Sequence, residues 1–387
     1  MRTNEQLELQ ALARDFATAE LRPKSAGWDE EGRLDDEVLS KLAESGFLGM
    51  LIPEEYGGLG FDLTTYLVVL EELAWGDAAV ALSVATHNGP VADLLLRYGS
   101  DEQKTNWLPR LAAGEVLGTI GLSEPDAGSA ASAVSVTATR TSSGWLLNGQ
   151  TRWVTNGGRA GLVVLFARTS ANELGVFLVS PTTDGYEAGD PEKKLGLRAS
   201  ETVCITLDGV ELGEDDVLGE ADGGTGYALE ALDVGRIGVA AQAVGIGRAA
   251  LEHATTYALE REQFGTAIAR FDAVQAKLAD MAQRISGGRE LAFKAAAALQ
   301  ASNNGVRHPR TGQDGIISRA AIAKLAASEA ASWSADEAIQ IYGGYGYMKH
   351  YPVEKLLRDA KGSEIYEGTS EILRRVIAEE ILTEAGG

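Results

Sequence analysis

Residues 134–157 read VSVTATRTSSGWLLNGQTRWVTNG, and the period of this stretch departs from everything on either side of it. Val134, Val136 and Ala138 alternate with polar residues, the two-residue repeat of a half-buried strand. Ser143-Gly144 and Asn148-Gly149 are turn signals. Further along, Leu162–Phe166, Val176–Val179 and Val203–Leu207 are short runs rich in branched and aromatic residues, as in strands. Together they predict a compact antiparallel β domain over residues 119–222.

Both flanks carry helical periodicity. In residues 1–118, Thr3 and Gln6 form a capping-box pattern ahead of the stripe Leu9, Leu12, Ala13, Phe16 and Ala17. Further helices are expected over Asp36–Ser45, stopping at Gly46, and over Leu63–Trp75 and Ala78–Tyr98. In residues 223–387, Tyr227–Glu262 is a long helical stretch without proline. A second helix starts near Asp272 with Val274, Leu278, Met281 and Ile285 on one face, and a third covers Ser318–Tyr342. Pro352 fits the first turn of a short helix. A last helix aligns Leu373, Val376, Ile377 and Ile381. Ala301–Gly315 is polar, with Asn303-Asn304-Gly305 and Pro309, and reads as an exposed loop. The fold class is therefore mostly α with a central antiparallel β domain. There is no βαβ alternation and no strand followed by G-x-G-x-x-G, so a Rossmann site is not supported.

Composition narrows the function. At 387 residues the chain holds two or three packed units and needs no covalent staple. Its one cysteine, Cys204, excludes an intrachain disulfide, and four scattered histidines offer no zinc spacing, so no metal is expected. The net charge of −22 opposes a nucleic-acid partner. No apolar run reaches the roughly 18 residues of a membrane span. Met1–Gln10 lacks a signal-type apolar core and carries Glu5 and Glu8, so a cytoplasmic, prokaryotic location without membrane insertion is expected.

Six segments stand out chemically, and each also has an ordinary structural reading. Ile120–Ser129, IGLSEPDAGS, is either a domain-crossing loop or a ligand loop offering backbone N–H groups and hydroxyls. In Trp153–Gly157 an aromatic and a hydroxyl sit two positions apart, on one face if the chain is extended. Asp233 and Arg236 at i, i+3 suit a simple surface pair. Arg261–Gly265 ends a long helix, where a cation complements the dipole. Gln340–Tyr347 contains a double glycine, which permits close backbone approach to a flat or charged group. Glu364–Glu371 sets Glu367 between an aromatic and a glycine, just before a helix N-terminus.

In this order and at these intervals, LSEPDAGS, WVTNGG, ALEREQFG, IQIYGGYGY and IYEGTSEIL resemble the acyl-CoA dehydrogenase family over essentially the whole chain. The resemblance implies an N-terminal helical domain, a central β domain and a C-terminal four-helix bundle, usually in a homotetramer with one FAD per subunit. It implies that Ile120, Leu122, Ser123, Gly128 and Ser129 line the flavin, Ser129 also meeting the CoA arm. Trp153, Val154 and Thr155 match the segment beside the isoalloxazine. Arg261, Gln263 and Phe264 match a segment reaching the FAD of a neighbouring subunit. Gln340, Gly343 and Gly344 match the loop along the FAD diphosphate and adenosine, and Thr369 matches another FAD contact. Asp233, Arg236 and Gly368 match positions at the acyl-CoA.

Glu367 matches the family's catalytic base. In one branch the base is instead a glutamate directly before the long-helix arginine, and here that position is Gly235. The implied reaction is α,β-desaturation of a fatty or short-branched acyl-CoA thioester: Glu367 takes the α proton, and the β hydride goes to flavin N5. Electrons then pass to an electron-transfer flavoprotein. An oxygen-using oxidase and a non-dehydrogenating FAD-binding relative are the alternatives. Two departures stand out: Ala130 follows Gly128-Ser129 where the family commonly has Asp, and Asp272 follows Phe271 where many members have Gln.

Overall fold

The computed structural model describes residues 3–129, 134–303 and 316–386. Ala130 and Asn304–Gly315 lie outside the described residues; Ala301–Asn303, expected in a loop, are the last turn of a helix.

The N-terminal part is helical: α1 (Asn4–Phe16), α2 (Ser25–Glu31), α3 (Asp36–Glu44), α4 (Leu63–Gly76), α5 (Ala78–Thr86), α6 (Ala92–Tyr98) and α7 (Asp101–Ala112). The starts follow local chemistry. Thr3 and Gln6 form the expected capping box, and Asp35, Asp62 and Asp77 accept backbone N–H bonds at the starts of α3, α4 and α5. The stretch Ala78–Tyr98 is not one uniform helix. A π-helical turn, His87–Val91, separates α5 from α6, and it contains Pro90, which cannot donate the regular i→i−4 bond. Helix α7 was not expected, although Ser100 and Gln103 repeat the capping box of α1.

The middle part is a seven-stranded sheet of β1 (Leu117–Gly121), β2 (Thr137–Arg140), β3 (Trp145–Thr155), β4 (Ala160–Arg168), β5 (Leu174–Val179), β6 (Tyr186–Ala188) and β7 (Thr202–Leu212). Its order is β1-β4-β2-β3-β7-β6, with β5 also on β4. The sheet is mixed, which corrects the antiparallel expectation: β1 and β2 both run parallel to β4. A two-residue repeat fixes which face a side chain takes, but says nothing of strand direction.

The C-terminal part comprises α8 (Gly224–Glu260), a small hairpin of β8 (Glu262–Gln263) and β9 (Thr266–Ala267), then α9 (Asp272–Asn303), α10 (Ile316–Tyr342), α11 (Val353–Ser363) and α12 (Ser370–Glu384). Pro352 sits at the N-cap of α11, one step before the first turn. Asp272 is the first residue of α9, exposed at its N-terminal end.

Helix α8 passes between α4 and α5 on one side and α9, α10 and α11 on the other. Small residues let these helices approach. At Gly245 a Cβ would lie 2.5 Å from the Ala74 Cβ and the Glu71 carbonyl, so α8 and α4 meet nearly backbone to backbone. Beside this crossing, the buried Glu71 and Glu72 are neutralised from three helices. Arg248 Nη1 lies 2.6 and 2.8 Å from their oxygens, Arg289 Nε 2.7 Å from Glu71, and Arg14 Nε 2.6 Å from Glu72. No helix among the described residues is long and apolar enough to cross a membrane.

Candidate active site

A cavity of about 580 Å³ opens where α5, the edge of the sheet, α8 and the α11–α12 turn meet. Its first wall is the loop after β1. The Ser123 carbonyl accepts bonds from the Arg152 N–H and the Thr151 hydroxyl, both at 2.7 Å. The buried Glu124 carboxylate accepts from the N–H groups of Ser135 and Val136, each at 2.7 Å. The loop is thus pinned at both edges of β3 and β2. Ile120, Leu122, Ser123, Gly128 and Ser129 all line the cavity, and the space around the Gly128 Cα is open.

The second wall is the end of β3. Its pairing with β7 slips between Thr151 and Val154, and within that bulge Trp153 takes a φ of 63°. The bulge turns Trp153 out to the cavity mouth, where it is 54% exposed under the Arg152 guanidinium, 4.5 Å away. Thr155 also lines the cavity. Trp153 and Thr155 therefore share the site, but through a bulge rather than simple alternation. Val154 turns the other way, into the core of the sheet, and does not line the cavity.

The third wall carries the carboxylate. Helix α11 ends at Ser363, and α12 starts at Ser370 under an N-cap by Thr369. In the turn between them Glu367 has φ 55° and Gly368 φ 95°, a left-handed pair that a glutamate seldom adopts. Glu367, Gly368 and Thr369 all face the cavity. Arg236 Nε donates to the Glu367 carbonyl at 3.3 Å, while its Nη1 donates to Asp233 at 3.2 Å. This Asp233–Arg236 pair is buried in the site, not solvated on a helix surface. Arg236 lines the cavity and Asp233 stands behind it.

The Glu367 carboxylate lies against α8. A Cβ on Gly235 would sit 2.7 Å from its carboxyl carbon, so a side chain at 235 and the present position of Glu367 exclude one another. Among the described residues, the buried Oε2 of Glu367 has no hydrogen-bond partner. Burial pushes the carboxyl up to about 7, against the opposing pull of Arg236 and Lys324. A carboxylate raised by burial, with one oxygen free of any partner and facing a cavity, is equipped to take a proton from a bound molecule.

The remaining expected residues lie elsewhere. Arg261, Gln263, Phe264, Gln340, Gly343 and Gly344 do not line this cavity. The Arg261 guanidinium stands 5.6 Å from the Tyr345 ring, which brings the end of α8 beside the turn that follows α10. Phe264 is 95% exposed there, and space is open around Gly343 and Gly344.

Several lining residues were not singled out from the sequence. Leu82, Thr86 and Pro90 come from the α5–α6 region, and Ala228, Ala231 and Leu232 from α8. Arg152, Lys194, Arg236, Arg358 and Lys361 are the cations among the described lining residues, but Arg152 pairs with Glu192, Arg236 with Asp233, Arg358 with Asp29 and Glu354, and Lys361 with Glu364. Carboxylates just outside the lining thus balance most of its positive charge.

Three family models cover nearly the whole chain: acyl-CoA dehydrogenase N-terminal domain over residues 3–115, middle domain over 119–210 and C-terminal domain over 222–382. The chain belongs to the acyl-CoA dehydrogenase family. It is 40% identical over 384 residues to an acyl-CoA dehydrogenase of Bacillus subtilis (strain 168), covering 98% of both chains. To the mitochondrial short-chain specific acyl-CoA dehydrogenase of Bos taurus it is 40% identical over 378 residues, 97% of this chain and 89% of the relative. The structure of butyryl-CoA dehydrogenase from Megasphaera elsdenii superimposes with a TM-score of 0.93 at 37% identity, covering 99% of each chain. As a member of this family the protein is an oxidoreductase, and FAD is its cofactor. The cavity fits that group: an exposed indole stands at the mouth, and the hydroxyls of Ser123, Ser129 and Thr155 line the space.

Proposed function

We propose that this acyl-CoA dehydrogenase desaturates a short-chain or short-branched acyl-CoA thioester between its α and β carbons, with Glu367 as the base. The observation that carries the reading is the Glu367 carboxylate resting on Gly235 with its Oε2 buried and without a hydrogen-bond partner. Gly235 leaves the alternative base position empty and gives Glu367 its space. The short-chain preference is supported by the short-chain specific and butyryl-CoA relatives.

Bound FAD supplies the acceptor for the hydride leaving the β carbon. The rest is the work of this chain. Ile120, Leu122, Ser123, Gly128, Ser129, Trp153, Thr155 and Thr369 would hold the flavin, with Val154 contributing only through its backbone. Glu367 removes the α proton, and its backbone N–H donates to the thioester carbonyl as negative charge develops on that oxygen. Arg236, backed by Asp233, fixes the turn carrying the base and lies beside the acyl-CoA with Ser129 and Gly368. Lys194, whose ammonium donates to the Ser200 carbonyl and has no ion pair among the described residues, is the lining charge that would meet the phosphates of CoA within a chain of net charge −22.

Arg261, Gln263 and Phe264 would reach the FAD of a neighbouring subunit of a homotetramer, and Gln340, Gly343 and Gly344 would lie along the FAD diphosphate and adenosine. An electron-transfer flavoprotein docks at the mouth around Trp153, where Leu195 and Ile365 are also exposed. The test is anaerobic mixing of the FAD-loaded protein with straight C4 to C16 and branched acyl-CoAs, following loss of the flavin absorbance. Bleaching by short substrates is expected, and none with any acyl-CoA would reject the reading. Fast reoxidation by oxygen would replace the dehydrogenase by an oxidase.

A further inference from the structure

Lys324 lies in the alanine-rich middle of α10 and has no solvent exposure. Its Nζ donates to the Gly368 carbonyl at 2.7 Å, and among the described residues it forms no ion pair within 4 Å. A lysine buried without a carboxylate in contact is an expensive way to fill space that an apolar side chain would fill. What it touches is the left-handed turn of the active site. Arg236 grips the first carbonyl of that turn, at Glu367, and Lys324 grips the second, at Gly368. The two cations come from different helices, so the turn is clamped between α8 and α10.

We propose that Lys324 is a positioning residue for Glu367: its ammonium clamps the Glu367-Gly368 turn by the Gly368 carbonyl and brings a buried positive charge to the segment that carries the base. This inference rests on the desaturation reading above. The charged groups around the turn are Arg236 and Asp233 from α8, Lys324 from α10, Glu364 ahead of the turn and Glu371 at the start of α12. Burial pulls Lys324 down to about 8, and the carboxylates of Glu367, Glu364 and Glu371 oppose that pull. In return the Lys324 charge favours the ionised Glu367.

The test compares FAD-loaded wild type with Lys324→Met, which removes charge and donor, and Lys324→Gln, which keeps a donor without charge. In Lys324→Met the alkaline-rising limb of the bleaching rate is expected at higher pH, with the maximal rate down at least about tenfold. Flavin content and the acyl-CoA concentration for half-maximal rate are expected to stay within about threefold. Lys324→Gln is expected to recover part of the maximal rate while its limb stays displaced. A second readout is the protonated-carboxyl infrared band that Glu367→Gln abolishes, which is expected to persist to higher pH in both Lys324 variants. An unmoved limb and infrared titration in a folded, flavin-loaded variant would overturn the inference. If Lys324→Met fails to fold, Lys324→Gln decides by the same criterion. Failure of the wild type to bleach would instead reject desaturation itself, so the two failures are distinct.

Discussion

Replacing Glu367 by glutamine should separate the two consequences of one buried carboxylate. The side chain keeps its shape and loses its charge. In the folded protein the carboxyl is pushed up to about 7 from an ordinary value of 4.5, chiefly by burial. Below pH 4.5 it is protonated whether the chain is folded or not and costs nothing. Between 4.5 and 7 the unfolded chain gives up its proton first, so the native state loses stability as pH rises. Above 7 the whole penalty is present, at most about 3 kcal/mol at 1.36 kcal/mol per pH unit. Glutamine carries no such penalty at any pH. Glu367→Gln should therefore melt higher than wild type at pH 8 and together with it at pH 4.5, by calorimetry on the FAD-loaded protein. The same variant should bleach with acyl-CoA at least about 100-fold more slowly. In the wild type the bleaching rate should rise about fivefold to tenfold from pH 6 to 8, as the ionised fraction grows. Near-wild-type bleaching by Glu367→Gln, or melting curves that keep a constant separation across this range, would refute the assignment of the buried charge.

Three further substitutions probe other parts of the molecule. Gly235→Ala places a methyl 2.7 Å from the Glu367 carboxyl carbon, so the base must move; the bleaching rate should fall at least about tenfold with flavin content retained. Arg248→Met leaves Glu71 and Glu72 short of one of their three cations, and chemical denaturation should register a loss of about 3 kcal/mol. Phe264→Ser removes a ring that is 95% exposed in the single chain; sedimentation should show a smaller assembly if that ring is covered by a neighbouring subunit, and an unchanged mass would count against the tetramer contact.

The helical framework was legible because its punctuation is local. Thr3 with Gln6, and Gly46, each mark an end through bonds to residues three positions away. The loop Ile120–Ser129 and the turn at Glu367 were legible as motifs, and the cavity brings both to one place. Strand direction was not legible, since β1 and β4 pair in parallel across some forty residues of intervening chain. Nor was the bulge that turns Trp153 outward, because it arises from a slip against β7. Lys324 is the clearest case. Within AAIAKLAAS it looks like an ordinary exposed helix lysine, and only the docking of the α11–α12 turn onto α10 gives its charge a purpose.

The walls of the cavity are drawn from three stretches far apart in the chain: α5, the sheet edge and the α8–α12 bundle. None of them encloses the space by itself. Cofactor retention is therefore a gauge of how these layers are seated on one another, separate from how much helix or strand each retains. On gradual heating or in mild denaturant, free flavin fluorescence should appear before the far-ultraviolet circular dichroism changes. A lesion at a remote seam such as the Glu71–Arg248 crossing would then register first as a leaky flavoprotein, well before it registers as an unfolded one.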